Sequence, residues 1–519
     1  MKLHRIALAA AATFVAAASH AAPAVNIDGA STVKVFLTGA SALRATIAGV
    51  VLNDVCGGSA ANSSTTLYNL AESGSGFTFG GNFWAITCNV TAAGGAKVGL
   101  AANTPVAFFK SDNGGSAQGV FPVFFQDDRS FVQPVPLAGC TSTTTVDRVY
   151  GGCPATRTAK AMFGISDVEP GLFKEANVPN NDPLDTEDDT YPTGGLTGGQ
   201  IALLKVTPVV QTVFGVAVNN NLYTAMFAKQ NLAAKKDAAG AACTTASTDE
   251  TCTPSIGYAE ARSLFQGSEG NWKLLVGSAD ANLDSQVNIC RRVNGSGTQA
   301  AANAGLLGFG CNAAALSPAD YTFSSSDAPE AVSQKTATTE SGLTMAQYAN
   351  ANMGGAPVGS VFPAMPAGTT FVFEGPGTGD VVTCLNRANN GGGYAIGHVS
   401  KENAPGSNLW KHARLEGAAP SRDNLKAGRY DYAFESTVQY LTTAFNALTA
   451  QQKSFITGFI AEAKKPDSLA KLSSANQQGV AALPSAYAGA FGTGTANEIA
   501  FGSRVTRAGN SCTPFTAVK

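Results

Sequence analysis

The chain reads as an α/β protein, and three observations predict this. Short β-branched or aromatic runs alternate with helix-compatible stretches, as in "VKVFLTGASALRATIAGVVL" and "TPVAFFKSDNGGSAQGVF". Strand, small-residue turn, helix is the grammar of a sheet covered by helices. The run "VVQTVFGVAVNNNLY" is almost continuously apolar, which suits a parallel strand buried on both faces. Near the C-terminus, "SFITGFIAEAKK" puts Phe455, Ile456, Phe459, Ile460 and Ala463 on one face of a helix that packs on a core.

The order of elements begins with a leader. Lys2 and Arg5 precede the apolar "IALAAAATFVAAA", and small residues Ser19 and Ala21 follow, the pattern of a secretory signal spanning 1–21 and cut after Ala21. The first cysteine is Cys56, so a lipid anchor at the cleavage point is not expected. No later window approaches the roughly 20 uninterrupted apolar residues of a spanning helix. A periplasmic or fully secreted chain without membrane insertion is therefore expected. With 34 Lys+Arg against 36 Asp+Glu, a broadly basic nucleic-acid surface is excluded, and any charge recognition must be local. A length of 519 residues predicts more than one lobe.

Ten cysteines form an even set suited to an oxidising compartment. Their order suggests sequential pairing, Cys56 with Cys88, Cys140 with Cys153, Cys243 with Cys252, Cys290 with Cys311 and Cys384 with Cys512, although spacing alone leaves other connectivities open. Zinc is disfavoured, because no CxxC pair exists and the expected mature chain holds only His398 and His412. Polar or Gly-rich stretches at 57–82, 178–200 and 312–340 read as inserts. The acidic "NNDPLDTEDDTYPTGG" and "DANLD" lack the ligand spacing of a calcium loop and read as solvated turns.

Chemistry concentrates in "RRVNGSGT" (291–298), where guanidiniums, consecutive backbone amides and two hydroxyls meet at a helix start. A helix N-terminus offers unpaired donors and partial positive charge, and Arg292 adds the forked donor that matches two oxygens of a tetrahedral anion. Plain helix capping by Ser296 is the competing structural role. The same stretch mimics a GxGxxA dinucleotide fingerprint, but no ribose-binding acid is placed; a Ser296 nucleophile would need one of two histidines that sit in no recognisable motif. Ser41 in "TGASALR", Ser116 in "FFKSDNGGSAQG", and Ser166 with Asp167 in "MFGISDVEPGLF" repeat the strand, turn, hydroxyl arrangement. A carboxylate in an anion site has a use: phosphate keeps an O–H that donates to Asp167, whereas sulfate meets only repulsion.

Taken in chain order, "TGASA", "FGISD", "RRVNGSGT", "ARSLFQGSEGNW" (261–272), "GGYAIGHV" (392–399), "LEGAAPSRDNLKAGRYDY" (415–432) and the late "ALP" resemble the periplasmic phosphate-binding proteins of bacterial ABC importers. The resemblance implies a type II periplasmic binding protein fold: two lobes, each a mostly parallel sheet flanked by helices, here 22–208 plus 400–519 and 209–399. It implies one oxyanion in the interlobe cleft, bound by Arg292, Ser296, Gly297 and Thr298 from one lobe and by Ser166 or Asp167 from the other, with Ser116 at the family's Gly-Ser loop. It implies inorganic phosphate or a similar oxyanion as ligand, no cofactor, no catalysis, an ABC permease as partner, and a monomer. Two positions depart from the pattern. Leu43 and Arg44 replace a hydroxyl residue and an aromatic, leaving Ser41 as the available hydroxyl, and Asn294 replaces an acid that usually balances the arginine. These departures and the long inserts motivate an alternative, the same fold repurposed as a secreted structural or surface-interaction protein with an altered or absent ligand.

Overall fold

A computed structural model describes residues 25–59, 61–73, 76–133, 140–142, 148–179, 191–312, 315–319, 323–324, 370–486 and 493–518. The expected leader, the acidic stretch at 180–190 and most of the insert at 312–340 lie outside these residues.

Among the described residues the architecture is one 15-stranded mixed sheet flanked by helices. Its principal strands are β1 (Val33–Gly39), β2 (Phe83–Asn89), β3 (Pro105–Ser111), β4 (Phe163–Ser166), β5 (Leu204–Asn219), β6 (Val287–Arg292), β7 (Thr370–Gly375), β8 (Ala395–Ser400) and β9 (Ala433–Leu441). They run in the order β7-β6-β8-β5-β9-β4-β1-β3-β2. Two parallel sets, β4-β1-β3 and β8-β6-β7, are joined through antiparallel β5 and β9. The 16-residue β5 makes the join: Leu204 to Val213 pair with β9, and Phe214 to Val218 pair with β8.

Burial on both faces explains the apolar runs, that of β5 included, although β5 is not the parallel strand its run suggests: as the crossing strand between the two sets it pairs antiparallel with its neighbours. In β6, Val287 and Ile289 join the large core beneath α2 (Gly297–Leu307), whereas Cys290 joins a separate core with α3 (Thr378–Asn390). Successive strand residues point to opposite faces, so helices on both sides leave no polar stripe. Around β1 the same rule sends Val33, Val35 and Leu37 to one core and Phe36 to another. The first of these cores includes the Phe455, Ile456, Phe459 and Ile460 face of α4 (Ala450–Ala463), as the periodicity predicts.

Three disulfides follow the sequential expectation: Cys56–Cys88, Cys140–Cys153 and Cys243–Cys252. The other two do not. Cys290 bonds Cys384 and Cys311 bonds Cys512. The reason is topological: Cys290 faces the α3 side of β6, and α3 carries Cys384, while Cys311 follows the end of α2 and meets the C-terminal tail. The 57–82 stretch is also more than an insert. It contains the hairpin Leu70–Ser73 with Gly76–Phe79 and a short strand, Thr66–Tyr68, paired antiparallel with β2.

Candidate functional site

The carboxyl ends of the parallel strands carry the polar residues. Ser41 follows β1, Asp112 and Ser116 follow β3, Asp167 follows β4, Arg292 ends β6, Thr378 follows β7 and Glu402 follows β8. Open α/β sheets bind ligands outside the carboxyl ends of their strands, where chain reversals leave a crevice.

Ser116 Oγ donates to Asp167 Oδ2 at 3.0 Å and accepts from the Asp167 amide at 3.1 Å. Gly297, from the other parallel set, packs on this pair so closely that a Cβ there would overlap Ser116 Oγ and Asp167. The Ala117 amide donates to Gly295 O at 2.9 Å, fastening the two sets together beside the cluster. Glycine at 297 is thus a requirement of close approach. Gly39, at φ +112° where β1 turns against Ile165 and Gly119, is one of backbone conformation.

Arg292 is 4% exposed and donates through Nη2 to Pro376 O and through Nη1 to Thr378 Oγ1 at 3.5 Å. Its Nε, Asp167 Oδ1 and Glu402 Oε2 are buried without hydrogen-bond partners among the described residues. Burial pushes the Asp167 carboxyl up to about 6, against the pull of Ser116 and of the Arg292 and Lys110 charges. Burial likewise raises Glu402 to about 7 and lowers Arg292 to about 10. Near neutrality Glu402 thus keeps its proton in part, whereas Asp167 has mostly released its own.

Lys110 is fully buried and uses its ammonium on Gly39 O at 2.8 Å, Ser111 O at 2.9 Å and Asp112 Oδ1 at 2.6 Å. Asp112 Oδ2 accepts from Trp84 Nε1 at 2.7 Å and lies 3.7 Å from Arg44 Nε. Those bonds clamp the ends of β1 and β3, and they fix the turn that presents Ser41 and Arg44.

Beside the cluster opens a cavity of about 580 Å³. Ser41, Arg44, Phe77, Phe79, Thr378 and Glu402 are among its walls.

Of the residues singled out by sequence, Ser116, Asp167, Arg292 and Gly297 belong to the cluster, and Ser41 lines the cavity. Ser296 Oγ caps α2 by accepting from the Gln299 amide at 3.4 Å, the structural role weighed above. Ser166 Oγ accepts from the Val168 amide at 3.3 Å, and Thr298 is buried in the first turn of α2. Sequence reasoning missed Lys110, Asp112, Thr378 and Glu402 as site residues and treated Arg44 only as a departure. A charged pair inside "FFKSDNGG" and the carboxylate that ends "GGYAIGHVSKE" were the signals available. Burial lowers His398 and His412 to about 3, and His398 Nε2 is engaged with Gln299 Oε1 at 2.9 Å.

No family model matches the chain, and no curated protein does either. Solved structures do. PstS from Borrelia burgdorferi is 10% identical with a TM-score of 0.31, over 83% of this chain and 92% of that one. A putative phosphate ABC transporter substrate-binding protein with bound phosphate from Clostridium perfringens is 14% identical with a TM-score of 0.28, over 53% of this chain and 73% of that one. An ABC-type phosphate transport receptor from Vibrio cholerae is 12% identical with a TM-score of 0.28, over 58% and 73%. Likeness at this level carries no argument about what this chain binds.

Proposed function

We propose that the chain is an exported solute-binding protein that holds phosphate, or a related tetrahedral oxyanion, between its two parallel strand sets and performs no chemistry on it. The observation that carries this reading is the set of unmatched buried atoms. Arg292 Nε lacks an acceptor, and Asp167 Oδ1 and Glu402 Oε2 lack donors. A partly protonated phosphate supplies both, accepting from the guanidinium and donating its O–H to a carboxylate. Fully ionised sulfate has no proton to give, so the same carboxylates disfavour it. Bonds to charged groups contribute about 1.5–3 kcal/mol each, so a few of them offset association costs and reach micromolar binding, about −8 kcal/mol.

Entry requires the contacts of Gly115 to Ala117 with Gly295 to Gly297 to part, and closure restores them. Five disulfides fit an oxidising compartment, which supports a periplasmic or secreted location. An ABC permease is the partner of this reading and the monomer its form.

A specific observation favours a second reading. Ser116 and Asp167 satisfy each other directly, and Gly297 seals them. A cluster closed in this way also suits a binding fold turned to a structural or surface role. Thermal denaturation with phosphate, arsenate, sulfate and molybdate separates the two, because a ligand of the folded state raises Tm. The expected result is a rise with phosphate and none with sulfate, and Arg292→Ala lowers calorimetric phosphate affinity at least about tenfold. No rise with any anion would favour the second reading.

A further inference from the structure

The cavity beside the cluster has no task in holding a bare oxyanion. Phosphate has five heavy atoms and fills roughly the space of two or three waters, at about 30 Å³ each. A cavity of about 580 Å³ is several times larger and falls within the range of sites for whole small molecules.

Its walls are of two kinds. On one side stand Phe77 and Phe79, half-buried, with ring centroids 6.2 Å apart. Both belong to the hairpin of the 57–82 stretch, outside the motifs that carry the oxyanion cluster. The Arg44 guanidinium lies 5.1 Å from the Phe79 ring centroid, which holds the cation at the junction between aromatic wall and cluster. Thr378, in the first turn of the 13-residue α3, and Glu402 supply polar walls.

The cavity and the cluster share residues and are not two separate sites. Arg292 Nη1 reaches Thr378 Oγ1 at 3.5 Å, so the buried guanidinium stands directly behind the cavity wall. Arg44 faces the cavity while its Nε lies 3.7 Å from Asp112 Oδ2. An anionic head at Arg44 and Ser41, with the Arg292 guanidinium behind Thr378, would therefore leave any attached carbon group in the cavity that Phe77 and Phe79 line.

Resting on the oxyanion reading above, we propose that the ligand is a phosphate monoester of a small organic alcohol: its phosphoryl group is held by Arg292, Arg44 and Ser41, and its carbon part packs on Phe77 and Phe79. A monoester bound as its monoanion keeps one O–H to donate to a carboxylate, as partly protonated phosphate does, and adds apolar surface, which the rings remove from water. Selectivity among phosphorylated compounds then comes from the hairpin, and affinity for the head group from the strand ends.

Calorimetry with inorganic phosphate and phenyl phosphate tests this on the full mature chain. Phenyl phosphate is expected to bind at least about tenfold tighter, the gain from covering one apolar ring. Phe77→Ala should erase much of that preference while changing inorganic phosphate affinity less than about twofold, because it is Phe79 that holds the Arg44 guanidinium, and Phe77→Leu should restore part of it. Phe77 is partly exposed on a hairpin, and retained phosphate binding by the variant reports that it folds. If phosphate binds while phenyl phosphate binds no better, or if Phe77→Ala weakens both ligands equally, the ester proposal falls and the oxyanion reading stands. If neither ligand binds, the oxyanion reading falls with it.

Discussion

Two regions of the molecule are each built round a buried aspartate, and they treat it in opposite ways. Asp54, 3% exposed in the segment Val50–Val55, receives Lys97 Nζ at 2.5 Å and a second hydrogen bond from Lys471. Burial alone would raise its pKa, but these bonds outweigh burial and hold it below the usual value. Asp167, 2% exposed, faces Ser116 and has no carboxyl–cation contact within ion-pair distance among the described residues; burial wins, and the pKa rises. Each keeps one carboxylate oxygen without a partner among the described residues, but nearby lysines neutralise the first aspartate, whereas the second has only the field of a guanidinium whose own Nε is unmatched. A buried charge balanced on the spot is a structural element. One left unbalanced costs stability and is retained where a ligand completes it.

The largest expected effect comes from removing the unbalanced charge. Folded Asp167 keeps its proton up to about pH 6, whereas the unfolded chain releases it near 3.8. Between those values the folded state binds more protons, so stability falls as pH rises, and the full penalty is present above pH 6. The move corresponds to at most about 3 kcal/mol. Asp167→Asn should therefore stabilise the ligand-free protein by up to about 3 kcal/mol at pH 8 and leave it almost unchanged near pH 4. Urea denaturation at the two pH values reads this difference, and a variant less stable at pH 8 would break the contrast.

Asp54→Asn should act with the opposite sign and a smaller size. Its depressed pKa gives stability that is present above about pH 3.8 and lost as pH falls through the folded value. Bonds to charged groups are strong, but the Lys97 and Lys471 side chains are 32% and 40% exposed, and water screens them. A loss of about 1–2 kcal/mol at pH 8 is expected, shrinking toward zero in acid. Equal pH slopes for the two variants would show that the regions do not differ as described.

How far the sequence reveals this contrast depends on the range of the interactions. Local patterns are legible: the β1 strand and turn, the two-sided burial of β5, and the apolar face of α4 all follow from neighbours within one turn or one pleat. The cluster is partly legible, because Ser116, Asp167, Arg292 and Gly297 lie in short strand-to-helix turns with a recognisable composition. Contacts set by the crossover are not. Cys290 and Cys384 are 94 residues apart and meet only because a parallel connection returns α3 to the face of β6. Glu402 and Thr378 reach the site by the same device, as the carboxyl ends of β7 and β8 come to lie beside those of β6 and β1. Lys110 is hidden differently. The strand run "FFKS" does not show that the carbonyls of Gly39 and Ser111 and the Asp112 carboxylate make its burial tolerable.

The smallest effect is one of specificity, and it tests what the unbalanced aspartate is for. On the proposed reading, sulfate would meet Asp167 Oδ1 in the wild-type protein with no proton to place between them. Asparagine keeps an oxygen at nearly the same position, so it can still accept the phosphate O–H, and phosphate affinity should change little. Its amide also offers N–H donors that a carboxylate lacks, and flipping the side chain turns one toward the anion. Sulfate should therefore gain about fivefold in Asp167→Asn relative to wild type, a shift of about 1 kcal/mol readable by calorimetric competition against phosphate. If the variant rejects sulfate as fully as the wild type does, discrimination lies elsewhere in the cluster, and Glu402, the second buried carboxyl with an unmatched oxygen, becomes the residue that sets it.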